Sequence, residues 1–112
     1  MKCEEIFNDV LRVYPTVHLD TRGSFSEDYN YKNFHSFGIK DNFIQDNLSV
    51  SKKKNTIRGL HFQSKPDAQS KLIKVIEGSI FDVFIDLRKE SKSFESYNFI
   101  ELKPNHGWIY IP

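Results

Sequence analysis

A chain of 112 residues lies within the size of one folding unit, and 38% hydrophobic with 28% charged residues is ordinary globular make-up, which excludes a disordered polymer. Sixteen basic against fifteen acidic residues leave a net charge of +1, so no global field recruits nucleic acid or an anionic membrane, and any anion site must be local. Cys3 is the only cysteine, the first residues lack an apolar signal core, and no run approaches the about 20 apolar residues of a membrane span, so a soluble cytoplasmic protein is expected.

Ten Phe, five Tyr and one Trp beside a single alanine, Ala68, favour strands over helices. Turn formers at Asp20-Thr21-Arg22-Gly23, Lys40-Asp41-Asn42, Lys65-Pro66-Asp67, Glu77-Gly78 and Pro104-Asn105-His106-Gly107 divide the chain into strand-length pieces. Strands are predicted near Thr16 to Leu19, Phe43 to Ser51, Ile57 to Phe62, Ser70 to Ile76, Ser79 to Leu87, Tyr97 to Lys103 and Trp108 to Ile111, with one helical turn at Tyr31 to Phe37. Many short strands joined by tight turns predict an all-β sandwich or barrel, one domain over residues 1–112.

Several stretches carry residue types suited to chemistry. In Arg22-Gly23-Ser24-Phe25-Ser26-Glu27, an arginine can clasp a phosphate and a phenylalanine can stack on a base, although the stretch also reads as a plain hairpin shoulder. Gln45, Asn47 and Ser49 share one strand parity against Ile44, Leu48 and Val50, giving a strand with one polar face. Lys52-Lys53-Lys54 reads as a solvated loop. His61 sits in an apolar stretch on the side of Gln63, with Gly59 leaving room beside it. It reads as a general base or as a core histidine bonded to a carbonyl. Gln63 stands where a jelly-roll metal site commonly has the second histidine of His-x-His, so no metal is expected. His18, His35 and His106 read as surface residues.

A hairpin turned by Glu77-Gly78 would set Ile76 opposite Ser79 and put Lys71, Ile73, Val75, Ile80, Asp82 and Phe84 on one face, with Lys71 diagonal to Asp82. A lysine and an aspartate among aliphatic and aromatic neighbours read either as a structural ion pair or as the wall of a site.

The order and spacing of D-T-R-G-S-F-S-E at Asp20 to Glu27, Q-D-N-L-S-V-S at Gln45 to Ser51, I-R-G-L-H-F-Q at Ile57 to Gln63, the run from Gln69 to Arg88 and the closing I-Y-I-P point to one family. Through these segments the chain resembles the dTDP-4-dehydrorhamnose 3,5-epimerases, dTDP-sugar epimerases with a cupin-like double-stranded jelly roll. The resemblance implies an isomerase that moves protons at C3 and C5 of a dTDP-4-keto-6-deoxyhexose without a cofactor. His61 matches the family's base, Lys71 the lysine that stabilises the enolate oxygen, and Asp82 its acidic companion. Arg58, Gln45 and Asn47 match positions that hold the nucleotide diphosphate and sugar. Arg22, Phe25 and Glu27 match residues that reach the nucleotide of a neighbouring subunit, which implies a homodimer.

The family's jelly roll continues beyond I-Y-I-P through a Gly-Phe-Ala-His-Gly-Phe-like segment, a tyrosine that reprotonates the opposite face and an aspartate that orients the base. The resemblance therefore implies that these residues are the N-terminal part of a longer domain, incomplete at the C-terminus. Lys54-Asn55 replaces a common glycine turn, Ser91-Lys92-Ser93-Phe94 replaces Ser-Pro-Thr-Phe, and Arg58 has strand parity opposite to His61. The alternatives are a jelly roll that binds a nucleotide sugar without turning it over, a dTDP-sugar 3-epimerase, and a 3,4-ketoisomerase. The last is disfavoured by Gln63 in place of a histidine.

Overall fold

A computed structural model of the chain describes every residue from Met1 to Pro112. The chain opens on a hairpin of β1 (Lys2–Phe7) and β2 (Val10–Tyr14), whose turn is Asn8-Asp9 with Asp9 at φ 62°. Aspartate tolerates that left-handed geometry. No strand is predicted here because Lys2, Glu4, Glu5 and Arg12 interrupt the apolar alternation; the Asn-Asp pair is the one local signal. A second hairpin, β3 (Val17–Asp20) and β4 (Gly23–Ser26), pairs Val17 with Ser26 and Asp20 with Gly23, within a residue of the predicted strand. The helix α1 (Tyr31–Ser36) lies at the predicted helical turn and starts at Asn30, whose side chain accepts the Asn33 N–H at 3.2 Å.

Four further strands complete the order: β5 (Lys71–Ile73), β6 (Ile80–Ile85), β7 (Tyr97–Leu102) and β8 (Trp108–Ile111). One sheet runs β1-β2-β8-β5, and β6 pairs with β7 alone. The predicted β5–β6 ladder is therefore corrected. Lys71 opposes Ile111 and Asp82 opposes Ile100, and the Glu77-Gly78 turn carries the chain from one sheet to the other. The predicted strands Phe43–Ser51 and Ile57–Phe62 are corrected too: neither stretch has a ladder, and Ile44 and Ile57 are 95% and 90% exposed. Alternation along a chain defines a face, but a ladder needs a neighbour, and no strand of this chain lies beside these stretches.

The large sheet is covered on both faces. Val10, Val75, Phe84, Leu102 and Ile109 form one buried cluster, with Ile6, Phe7, Ile73, Ile100 and Ile111 against it, so the β6–β7 sheet packs on this face. Val13, Phe34, Ile39 and Tyr110 form the other, which seats α1. Each fully buried side chain of this kind contributes about 1.5–3 kcal/mol. An exposed ion pair contributes about 0–1 kcal/mol, so the clusters, not surface charge, set the stability. Gly107 lets the chain enter β8 close against β2: its φ is 77°, and a Cβ there would lie 2.2 Å from the Val13 carbonyl oxygen.

A polar clasp joins the far end of β6 to the first turn. Asp86, whose side chain is 4% exposed, accepts from the Arg88 backbone N–H at 3.0 Å, from Arg88 Nε and Nη2 at 2.9 and 2.8 Å, and from the Ser91 and Ser93 hydroxyls at 2.5 and 2.7 Å. Arg88 Nη1 also reaches Asp9 at 2.8 Å. The Arg88 guanidinium, then the two hydroxyls, hold the Asp86 carboxyl far below the usual carboxylate range against the opposing effect of burial. A carboxyl depressed in the folded state adds stability that is fully present above its unfolded value of about 3.9 and is lost as pH falls through the folded value. Asp86→Asn is therefore expected to unfold at lower denaturant than the wild type at pH 7, with the gap narrowing below about pH 4; urea titrations across pH measure it, and a gap that stays constant with pH would contradict the assignment.

Candidate functional site

Lys71 and Asp82 face each other across the two sheets. Lys71 is on the β5 face shared with Ile73 and, through the ladder, with Ile109 and Ile111; Asp82 is on the inward side of β6 with Phe84, opposite Ile100. Chain parity survives the crossover at Gly78: of the predicted face, Ile73, Val75 and Phe84 join the interior cluster with Lys71 and Asp82 half-buried beside them, by packing of sheets and not by a ladder, while Ile80 is 42% exposed. Both side chains are half-buried, and Asp82 Oδ2 is fully enclosed with no hydrogen-bond partner. Burial pushes the Asp82 carboxyl above the ordinary carboxylate value, and the Lys71 cation pulls it down without cancelling that effect. The two groups interact through the field without forming an ion pair.

Four of the other predicted residues, Gln45, Asn47, Arg58 and His61, lie in the exposed stretch 42–69. Gln45 Nε2 donates to Asn47 Oδ1 at 3.1 Å, so the two amides act as one polar patch. Arg58 Nη2 reaches the Val50 carbonyl at 3.5 Å, which folds the stretch back on itself. His61 is exposed, and Gly59, at φ 97°, leaves the room its ring uses: a Cβ there would lie 2.9 Å from His61 Nδ1. The structure groups Gln45 with Asn47 and Lys71 with Asp82. It shows no contact between those two pairs.

Arg22, Phe25 and Glu27 lie around β4. Arg22 is held by Asp20, with Nη2 at 2.6 Å and Nε at 3.1 Å from Oδ2. Glu27 accepts from Asn30 Nδ2 at 3.1 Å and Asn33 Nδ2 at 2.9 Å, which ties it to the start of α1. Phe25 is 73% exposed and, with Met1, Thr16, His18, Glu27 and Asn33, lines an open hollow of about 510 Å³. This hollow is polar at its rim and presents one aromatic face. It includes neither His61 nor Lys71. No three His, Cys, Asp or Glu side chains gather at metal-binding distance.

Sequence reasoning missed a group that holds β4 to the large sheet. Lys74 pairs with Asp28 and lies 5.6 Å above the Trp108 ring, while Trp108 Nε1 donates to the Asp28 carbonyl at 2.9 Å and Ser26 Oγ to Asp28 Oδ1 at 2.8 Å. Its members are 46 and 80 residues apart, beyond any local pattern.

The sequence model described as dTDP-4-dehydrorhamnose 3,5-epimerase matches residues 4–112. The enzyme of that name from Salmonella typhimurium is 45% identical over 106 residues, which cover 93% of this chain and 57% of that protein. A crystal structure of the Bacillus anthracis dTDP-4-dehydrorhamnose 3,5-epimerase with TDP and PPi bound superposes with a TM-score of 0.92 at 44% identity, covering 97% of this chain and 63% of that one. The Legionella pneumophila dTDP-6-deoxy-D-glucose-3,5-epimerase in complex with dTDP-4-keto-L-rhamnose gives a TM-score of 0.88 at 33% identity, covering 99% and 60%. The chain thus spans somewhat more than half the length of these relatives. Its strands form part of their cupin-like jelly roll, and the chain belongs to the dTDP-4-dehydrorhamnose 3,5-epimerase family.

Proposed function

We propose that this chain carries the proton-transfer face of an epimerase acting at C3 and C5 of a dTDP-4-keto-6-deoxyhexose, in the cytoplasm and as a homodimer. The observation that carries the reading is the half-buried Lys71 facing Asp82, whose Oδ2 is enclosed and unpartnered, in a chain matched over residues 4–112 by the epimerase family. His61 removes the proton beside the C4 ketone, since an imidazole is the side chain suited to a base at neutral pH. The electron pair moves onto the C4 oxygen as an enolate, and the Lys71 ammonium stabilises that charge where few waters compete. A proton delivered to the opposite face of the carbon then completes the inversion. Asp82 stands beside Lys71 as its acidic companion, acting on it through the field. Arg58, Gln45 and Asn47 hold the diphosphate and sugar through charge-assisted and amide hydrogen bonds. Phe25 stacks on the base of the neighbouring subunit's nucleotide, and Arg22 and Glu27 hold the same nucleotide. No step needs a cofactor.

One observation favours a second reading, a nucleotide-sugar-binding jelly roll without turnover. His61 stands exposed, whereas a catalytic base ordinarily works where water is excluded.

Two experiments test these roles. In deuterium oxide the protein is expected to exchange the C3 and C5 hydrogens of the substrate, and His61→Ala to slow that exchange by about 10²–10⁴ while retaining dTDP binding by calorimetry. Binding with no exchange in the wild type establishes the second reading, and exchange at the wild-type rate in the variant excludes His61 as the base. Lys71→Met removes the cation that pulls Asp82 down, so the Asp82 carboxyl is expected to titrate higher than in the wild type by carbon-detected NMR. An unchanged or lower value would show that the two groups do not share a field.

A further inference from the structure

Residues 42–69 carry four of the groups assigned to substrate, yet no hydrogen bond joins this stretch to the rest of the chain. Its internal bonds are few: Asp67 N–H to Ser64 O at 2.9 Å, Thr56 Oγ1 to Lys53 O at 2.8 Å, the Gln45–Asn47 pair and the Arg58–Val50 contact. Phe43 alone packs against the cluster around α1, near the start of the stretch. The stretch is rooted at Asp41 and at Ser70, the residue before Lys71.

One root is held by a buried phenol, and the other begins diagonally beside it. Tyr110, on β8, is 8% exposed and donates its hydroxyl to Asp41 Oδ2 at 2.7 Å. The β5–β8 ladder places Leu72 opposite Tyr110, so Ser70, two residues before Leu72, sits diagonally on the same face of the sheet. We propose that Tyr110 is a positioning residue that joins the two roots of the 42–69 stretch and so sets where Gln45, Asn47, Arg58 and His61 stand relative to Lys71. Burial first, and then the Asp41 carboxylate, raise the Tyr110 phenol well above its usual range, with the nearby Ser70 side chain acting in the opposite sense. The hydroxyl thus stays a donor throughout the neutral range. Lys71 follows Ser70 directly, so the same phenol that anchors the stretch lies beside the strand start that carries the cation.

The kinetic consequence rests on the epimerase reading, while the clamp itself does not, and two readouts on the full chain keep them apart. Without substrate, Tyr110→Phe and Asp41→Ala are expected to lower the backbone order parameters of Asn42 to Asn47 and Ala68 to Lys71, with β1 and β2 unchanged. Asp41→Asn retains an acceptor oxygen and is expected to keep the wild-type values. With dTDP-4-keto-6-deoxyhexose, Tyr110→Phe is expected to lower kcat/KM for C3 hydrogen exchange by roughly ten- to a hundredfold, through both a lower kcat and a higher KM, with Asp41→Asn near the wild type. A residue serving only the core would lower the unfolding midpoint and leave kcat/KM unchanged. Unchanged order parameters in Tyr110→Phe overturn the clamp, as does an Asp41→Asn variant as impaired as Tyr110→Phe. If the wild type exchanges no hydrogen, the epimerase reading fails and the relaxation comparison still decides the clamp.

Discussion

The structure depends on one strand, β8, lying between β2 and β5. Its ladder sets Val13 opposite Trp108 on one side and Leu72 opposite Tyr110 on the other, closing a sheet between residues 95 positions apart on one side and 38 on the other. Because strand side chains alternate, β8 serves two interiors at once. Ile109 and Ile111 face the β6–β7 sheet, while Trp108 and Tyr110 face α1 and the segment after β4. The Lys71 face, the Asp28 group and one root of the 42–69 stretch are all referred to this strand. Lys71 pairs with Ile111, Asp82 packs across from that face, Asp28 is held through Trp108, and the 42–69 stretch is rooted through Tyr110.

Two aspartates of the β6 segment show how the same residue type serves structure and chemistry. Asp86 accepts five hydrogen bonds, is held deeply ionised by Arg88, and joins β6 to the first turn. Asp82, four residues earlier with the same parity, has an enclosed oxygen with no partner and a carboxyl raised by burial. A satisfied buried carboxylate rigidifies; an unsatisfied one beside a cation costs stability and is tolerated where charge must be placed for a reaction. The contrast assigns Asp86 to the frame and supports the proposed place of Asp82 beside the reacting groups.

Much of this was legible in the residues, and the failures have physical causes. The shared face of Lys71 and Asp82 followed from alternation through Glu77-Gly78, although the turn joins two sheets and not two paired strands; parity is a property of the chain, pairing a property of space. The stretches around Gln45 and His61 have strand composition without a strand neighbour, so alternation overstated their order. The β1–β2 hairpin was hidden because its outward residues are charged and its inward ones few. Tyr110 with Asp41, Lys74 with Asp28 and Arg88 with Asp9 are 69, 46 and 79 residues apart, and no local signal encodes such contacts. The roles of His61, Arg58 and Phe25 came from the order of family motifs, since an exposed histidine, arginine and phenylalanine have no geometry of their own that compels a function.

The central claim is that the exposed 42–69 stretch and the Lys71 face form one binding surface for a dTDP-linked sugar. The most direct measurement is an NMR titration of the isotopically labelled chain with dTDP, following backbone and side-chain resonances. The account expects the signals of Gln45, Asn47, Arg58, His61 and Lys71 to move together along one saturating curve, joined by Phe25 and Glu27 where a second subunit contributes. Shifts confined to other parts of the chain, or none at saturating dTDP, would contradict it.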